Sequence, residues 1–332
     1  MAMSRGVTSV VSREYAAGRL DAIGGVGGSG GSSIVAAAMQ SLPLGVPKLL
    51  VSTMASGDTR PYVGTSDIAL LYSVVDIAGL NRFSERILAN AAGAIAGMAI
   101  AATSYRSTLP DRPVVAATMY GVTTPCVETA RAWLEGHDYE VLVFHATGSG
   151  GQAMEGLVQS GFISGVLDIT TSELTDEVVG GTLSAGPMRL EAAGAAGIPQ
   201  VVSLGAAEIG TFGPPDSLPQ ALRGRTLYRH NESITLMRIS SEESERLGRY
   251  IAGKLNGATG PVSVFLPAGG LSSLSVPGAV FADPDADATL FGTLRAELDP
   301  RIEVVEMATD INDPAFATAM AERLHASLTS PG

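Results

Sequence analysis

The segment Gly25-Val26-Gly27-Gly28-Ser29-Gly30-Gly31-Ser32-Ser33 sets Gly25, Gly27 and Gly30 at GxGxxG spacing. Glycines let a backbone approach an anion closely, and the first turn of a following helix offers N–H groups with no intrahelical acceptor. The pattern is weak by itself and gains meaning from a strand before it and a helix after it. Residues 20–26 read as that strand and 32–42 as that helix. Gly27, Gly28, Ser29, Gly30, Gly31 and Ser32 are therefore candidate phosphate contacts; the competing reading is a tight turn made for packing. A second segment, His145-Ala146-Thr147-Gly148-Ser149-Gly150-Gly151, again lies between an expected strand and an expected helix. It adds Thr147, Gly148, Ser149, Gly150 and Gly151 as candidates. His145 could polarise a phosphoryl group, although a hydrogen-bonded wall residue is the commoner role.

Other chemistry is less well marked. A dinucleotide fold of the NAD type wants an acid at the end of its second strand. Here that strand ends at Ser52-Thr53 and the nearest acid is Asp58, in Ser56-Gly57-Asp58-Thr59-Arg60, which disfavours an oxidoreductase. The GxxxxGK[ST] loop of P-loop NTPases is also missing from the sequence. Lys48 and Lys254 are the only lysines, so arginine must supply positive charge, and Asp58 and Arg60 join the candidate nucleotide contacts. Thr123-Thr124-Pro125, the run from Asp168 to Glu173, Arg229-His230-Asn231 with Thr235 and Arg238, and the run from Asp310 to Asp313 all sit at expected strand ends. Each could equally be capping chemistry. Cys126, at an expected helix start, reads as a small buried residue rather than a nucleophile. No HExxH or CxxC spacing points to a metal.

The elements that must carry these loops follow from hydrophobic pattern. A helix is expected over 3–18, strands over 48–53 and 68–75, and one or two helices over 81–103. A polar, proline-bearing linker spans 104–113. Beyond it, strands over 114–119, 140–145, 165–169, 200–204, 262–266 and 302–307 alternate with helices over 127–134, 152–161, 187–196 and 241–255. Ser240 and Glu243 form a capping box, and Asp313 caps a last helix that opens with Pro314. Such alternation predicts an α/β fold with two Rossmann-like domains and mainly parallel sheets, over 1–109 and 110–332. A helix leads where a doubly wound domain normally opens with a strand. The first domain is thus expected to have about three strands and to lack its N-terminal strand or strands; the alternative is a small domain completed by its partner.

Composition bounds the function. Of 332 residues, 45% are hydrophobic and 16% charged, and the net charge is -12. That supports a sizeable core and argues against nucleic-acid binding, which needs a cationic face. The lone cysteine fits a reducing, cytoplasmic setting. No secretory signal is legible near residue 1, and residues 91–102 read as a buried helix too short and too rich in small residues to span a membrane.

The loops and their surroundings, GGVGGSGGSS, TMYGVTTPCV, FHATGSGGQAMEGL, GVLDITTSEL, SAGPMRLEAA, HNESITLMR, PGAVFADPDADATLF and INDPAFA among them, make the chain closely resemble the Tm-one-like ATP-binding family. That bacterial and fungal group includes the N-terminal region of a tomato mosaic virus resistance protein. The resemblance runs from about residue 20 to the C-terminus. It implies two Rossmann-like domains, a homodimer and ATP binding. The chain departs from it at Glu208, where relatives tend to carry Asp, and at Asp310, where they tend to carry His. The expected function is ATP binding at a cleft between the domains, served by both glycine loops. An ATP-dependent enzyme acting on a small acidic or sugar-like substrate is the alternative, since the strand-end Thr, Asp and Arg residues would suit a second ligand and Mg²⁺.

Overall fold

The computed structural model describes residues 2–106, 108 and 110–330. The chain divides into two compact units, Met1–Pro110 and Asp111–Gly332. Two positions of the expected linker, 107 and 109, lie outside the described residues.

The first unit opens with α1 (Ala2–Ala16), followed by β1 (Ile23–Gly27), α2 (Ser29–Gln40), β2 (Lys48–Ser52), α3 (Arg60–Val63), β3 (Ala69–Tyr72) and α4 (Arg82–Ser104). The three strands form a parallel sheet in the order β1-β2-β3, with Ile23 opposite Lys48 and Leu49 opposite Ala69. Successive side chains of a strand face opposite ways, and β2 uses both faces. Leu50 packs with Ala36, Met39 and Tyr62 on the α2 side. Leu49 and Val51 meet Ala91, Ile87 and Ile95 on the α4 side. Lys48 is fully buried and gives its Nζ to the Pro43 and Val46 carbonyls and to Asp67. Asn81 caps α4 in a capping box with Ser84.

The expectation of a buried helix around 91–102 is corrected here. The helix is 23 residues long, and only 6% of its apolar window is buried. The small residues give one strip, around Ala91, that lies against the sheet, while Phe83 and Ile100 stand exposed. By length and composition α4 is also long enough and apolar enough to cross a membrane.

The second unit runs β4 (Val114–Met119), α5 (Thr124–Glu135), β5 (Glu140–His145), α6 (Ser149–Gln159), β6 (Gly165–Thr170), α7 (Ser172–Val179), α8 (Ala192–Ala196), β7 (Gln200–Gly205), β8 (Ile209–Phe212), β9 (Leu227–Arg229), β10 (Thr235–Arg238), α9 (Ser241–Asn256), β11 (Val262–Pro267), α10 (Pro284–Glu297), β12 (Glu303–Met307) and α11 (Pro314–Thr329). Six strands make a parallel sheet in the order β12-β11-β7-β6-β4-β5. Val115, Ala117, Leu167 and Val201 face α5 and α11. Their neighbours face the other way: Ala116 and Val166 toward α6 and α8, Val202 and Val264 toward α9 and α10. Both faces are covered, which is why these strands read as continuous apolar runs.

One layer was not expected from the sequence. β8, β10 and β9 form a small antiparallel sheet. Ile209 and Leu236 from this layer, with Phe281, pack on Tyr120 and Ala206, residues that follow β4 and β7. The layer thus lies over the carboxyl ends of the large sheet.

Candidate functional site

Both glycine loops carry the same tetrad at the same place: Gly28-Ser29-Gly30-Gly31 opens α2, and Gly148-Ser149-Gly150-Gly151 opens α6. In each case a parallel strand leads in and the first glycine is the N-cap. What surrounds the tetrads differs.

At α2, no side chain caps the helix among the described residues. Ser29, Gly30 and Gly31 are exposed, and their first-turn amides have no intrahelical acceptor. The floor of the loop is polar. Ser32 Oγ lies 3.1 Å from the Gly27 carbonyl and 2.7 Å from Ser52 Oγ, which in turn accepts the Met54 amide at 3.0 Å. Thr53 N donates to the Gly27 carbonyl, tying the ends of β1 and β2 together. A side chain at Gly27 would place its Cβ 2.6 Å from the Ser32 nitrogen, so that glycine is required by close approach. Gly30 faces open space, where a Cβ would meet nothing within 4 Å.

At α6 the same amides are already engaged. Gly148 N and Gly151 N donate to Glu173 Oε1 at 2.7 and 3.0 Å. A Cβ on Gly151 would collide with the Glu173 carboxylate, and one on Gly150 with the His145 carbonyl oxygen. The sequence expectation that Thr147, Gly148, Ser149, Gly150 and Gly151 cradle a phosphate meets a physical obstacle: a buried carboxylate of the chain itself sits where the anion would sit. His145 is exposed and stands edge-on to Tyr120, ring centroids 5.7 Å apart.

Glu173 belongs to a buried network that the sequence did not reveal. Arg189, fully buried, reaches Glu173 Oε2 through Nε at 2.7 Å and clasps Asp168 with Nη1 and Nη2 at 2.5 and 2.7 Å. Its third carboxylate, Glu155, lies 3.4 Å away and accepts the amides of Leu190 and Ala192 at 2.6 and 2.7 Å. Burial by itself would push the guanidinium proton off, but Asp168, Glu173 and Glu155 outweigh it and raise the Arg189 pKa. Three carboxylates around one guanidinium are held by helix-start amides and by Thr118 Oγ1, which donates to Asp168 at 2.7 Å.

The same closure holds at the point where strand order reverses. β4 lies between β5 and β6, and in open α/β sheets ligands bind outside such a switch point. Here Thr118, Thr123, Asp168 and Thr170 are all buried. Thr123 Oγ1 lies 2.8 Å from Thr170 Oγ1, and Thr170 N donates to Thr118 Oγ1 at 2.9 Å. The crevice is filled by the chain's own hydroxyls.

The remaining candidates fall elsewhere. Asp58 and Arg60 pair with each other on the surface, at 2.8 Å with both side chains largely exposed. Hydrogen bonds from the Arg60 side chain and amide bring the Asp58 carboxyl down to about 2. Cys126 is buried, and burial with Asp310 nearby pushes its thiol up to about 12, the state of an inert structural cysteine. Asp310 and Asp313 cap turns, accepting the Asn312 and Ala315 amides at 2.8 Å. Arg238 is buried beside Asp287. Among the described residues, no group of three or more His, Cys, Asp or Glu side chains is arranged to hold a metal ion.

Two family models cover nearly the whole chain: the N-terminal domain of the Uncharacterised protein family (UPF0261) matches residues 1–104 and its C-terminal domain matches residues 112–328. The chain belongs to the UPF0261 family. A UPF0261 protein from Clostridium tetani (strain Massachusetts / E88) is 48% identical over 327 residues, 97% of this chain and 80% of that protein. Another UPF0261 member, from Mesorhizobium japonicum, is 47% identical over 90% of this chain and 74% of its own length. The tomato (Solanum lycopersicum) ToMV resistance protein Tm-1(GCR237) is 45% identical over 90% of this chain, which corresponds to 40% of the tomato protein. Among solved structures, an esterase domain from a Rhodothermus marinus protein aligns with a TM-score of 0.36 at 16% identity, over 66% of this chain and 87% of that one, too distant to inform the chemistry of the UPF0261 fold.

Proposed function

We propose that the first unit of this UPF0261 chain binds a nucleotide, ATP by preference, through phosphate oxygens received by the amides of Gly28, Ser29, Gly30 and Gly31. The observation that carries this reading is the open N-terminus of α2: exposed first-turn amides, no capping side chain among the described residues, and a glycine whose side-chain direction is empty space. Unsatisfied amides and the positive end of the helix dipole both favour an anion there. The hydroxyls of Ser29 and Ser33 stand at the same exposed turn. Mg²⁺ would arrive on the phosphates, since it keeps most of its own waters. Asp58 and Arg60 enter this reading as an exposed pair whose partners would change on binding.

The test is thermal shift and calorimetry of the intact chain with ATP, ADP, NAD and NADP. A ligand at about 100 times its dissociation constant raises stability by about 2.7 kcal/mol. ATP and ADP should shift the transition and the dinucleotides should not; silence from all four sinks the reading. Nucleotide-dependent product formation separates plain binding from the ATP-dependent enzyme.

We further infer that two copies associate through the exposed side of α4. Phe83 is 64% and Ile100 69% exposed, and only 6% of the helix's apolar window is buried, so α4 carries apolar surface that a second copy would cover. Light scattering that shows a clean monomer at micromolar concentration removes this inference. A cytoplasmic setting is supported by the lone, buried cysteine.

A further inference from the structure

A cavity of about 190 Å³ lies at the carboxyl ends of β2 and β3, walled by the connection from β3 to α4 and by the first turns of α4. Its lining is apolar: Val51, Val75, Ile77, Leu80, Ile87 and Leu88. The serines that join them are turned to backbone. Ser73 Oγ donates to the Val75 carbonyl at 2.8 Å. Ser84 Oγ takes the Asn81 amide at 2.8 Å and donates to the Asn81 carbonyl at 3.1 Å. Asp76, exposed, accepts the Ile77 amide through Oδ1 at 2.8 Å, and its Oδ2 has no partner among the described residues.

Two further observations mark this end of the sheet. The connection begins with strain: the Val75 amide donates to the Ser73 carbonyl at 2.7 Å across Val74, whose φ is 63. That is a γ-turn of the rare kind, on a β-branched residue, and such backbone persists mainly at functional sites. The second observation is exposed apolar surface. Val26, Met54, Tyr72, Val74, Ile77 and Leu80 are all exposed, and each lies at the carboxyl end of β1, β2 or β3 or in the turn that follows. Apolar residues exposed singly are ordinary, whereas a gathered set marks a binding surface.

The same sheet end carries the open amides of α2. Gly27 stands opposite Ser52, and Ser52 opposite Tyr72. Neighbouring strands are about 4.8 Å apart, so the α2 loop and the cavity are separated by roughly 10 Å across the sheet edge. A nucleoside triphosphate spans that distance between its phosphates and its base.

We propose that this cavity holds the base of the nucleotide whose phosphates the α2 loop receives, and that it selects adenine over guanine. The inference rests on the nucleotide reading of that loop. The apolar side chains would pack the purine ring, and Asp76 Oδ2, at the exposed rim, would accept the ribose hydroxyls. Both serine protons are spent on carbonyls, so the lining has no side-chain donor for the carbonyl that guanine carries and adenine lacks. A polar group buried without a partner costs free energy, which favours the less polar base.

Isothermal titration of the intact chain with ATP, GTP, adenosine and inorganic tripolyphosphate tests this. ATP should bind at least about tenfold more tightly than GTP and than tripolyphosphate. Leu80→Ser and Ile77→Asn change exposed side chains and should leave the protein folded. Each should weaken ATP by about tenfold and leave tripolyphosphate unchanged. Tripolyphosphate binding as tightly as ATP overturns the base pocket while the phosphate loop stands. Adenosine binding where tripolyphosphate gives no heat keeps the pocket and removes the phosphate loop instead. GTP binding as tightly as ATP, or ATP affinity that both variants leave unchanged, overturns the proposal. So does a Leu80→Ser chain that loses its dimer in light scattering and keeps its ATP affinity, since Leu80 then belongs to the contact between copies.

Discussion

The tetrad Gly-Ser-Gly-Gly opens α2 and α6 alike, yet the two helix starts have opposite fates. At α2 the amides face solvent. At α6 they hold Glu173, which lies 25 residues downstream of Gly148 and is itself held by Arg189. The N-caps enter differently too: Gly28 is extended, with φ -80 and ψ -162, whereas Gly148 turns with φ 86 and ψ -65. A glycine-rich turn between strand and helix therefore marks a place that can receive an anion, and the rest of the fold decides whether that anion is a ligand or a side chain. In the second unit the fold has supplied its own.

The sharpest way to break this comparison is to attack the resident carboxylate cluster. Arg189→Met leaves Asp168, Glu173 and Glu155 buried without their cation, and removing one partner of a buried ion pair typically costs about 3–5 kcal/mol. Urea unfolding should show a loss of that order; a loss under about 1 kcal/mol would mean that the α6 amides alone satisfy the cluster. Arg60→Met, on the exposed pair of the first unit, should change stability by less than about 0.5 kcal/mol.

A second contrast is electrostatic. Asp58, in the open, is held low by Arg60, whereas burial pushes Glu208 up to about 7, with Arg238 and Ser272 pulling against it. A carboxyl whose folded pKa exceeds its unfolded value keeps its proton longer in the native state. Native stability from Glu208 is therefore fully present at pH below about 4.5 and is lost as pH rises to about 7. The full swing is about 3 kcal/mol. Glu208→Gln should flatten stability against pH over that window in chemical denaturation. A slope that survives the substitution assigns it to Asp176 or Asp287, the carboxyls of this unit that burial pushes up to about 7 and about 6.

Glycine swaps sharpen the comparison at matched positions. Gly150→Ala forces a Cβ onto the His145 carbonyl, and overpacking of this kind costs about 1–3 kcal/mol. Gly30→Ala points into open space and should raise stability by up to about 1 kcal/mol, the usual gain for replacing a helical glycine. Equal effects at the two positions would contradict the described difference between the loops.

The smallest change makes the most pointed test. Gly30→Asp adds a negative charge to the first turn of α2, which should stabilise the helix by about 0.3–1 kcal/mol. The same charge opposes a phosphate and should weaken ATP binding about tenfold, equivalent to about 1.4 kcal/mol. Stability and affinity should thus move in opposite directions. If affinity holds, the α2 loop is not the phosphate site.

Much of the frame was legible in the sequence, because parallel strands covered on both faces leave long apolar runs. β4 and β5 coincide with the expected 114–119 and 140–145, and the caps at Ser240 and Asp313 form as their side-chain types foretell. The antiparallel layer was not legible: its strands are three or four residues long and carry Gly210, Thr211 and Arg229 among apolar residues, so no period shows. Helix α7 hid for a related reason. Its run Ser-Glu-Leu-Thr-Asp-Glu reads as a polar loop, yet Glu173, Thr175 and Asp176 are buried by partners remote in sequence. At the candidate sites, sequence located the helix starts and could not say which was taken. The deciding contact, Arg189 to Glu173, joins a residue expected in a helix over 187–196 to one expected in a loop, and neither position carries a local signal for the other.

The clasp around Glu173 also has a use that the intact chain never displays. Glu173→Ala deletes the carboxylate but keeps its receptors: the Gly148 and Gly151 amides and the Nε of Arg189, all converging on one point. Such a variant is a ready-made host for formate or acetate. Added carboxylic acid salts should restore part of its lost stability, climbing with the logarithm of the free anion concentration, while the parent protein ignores them.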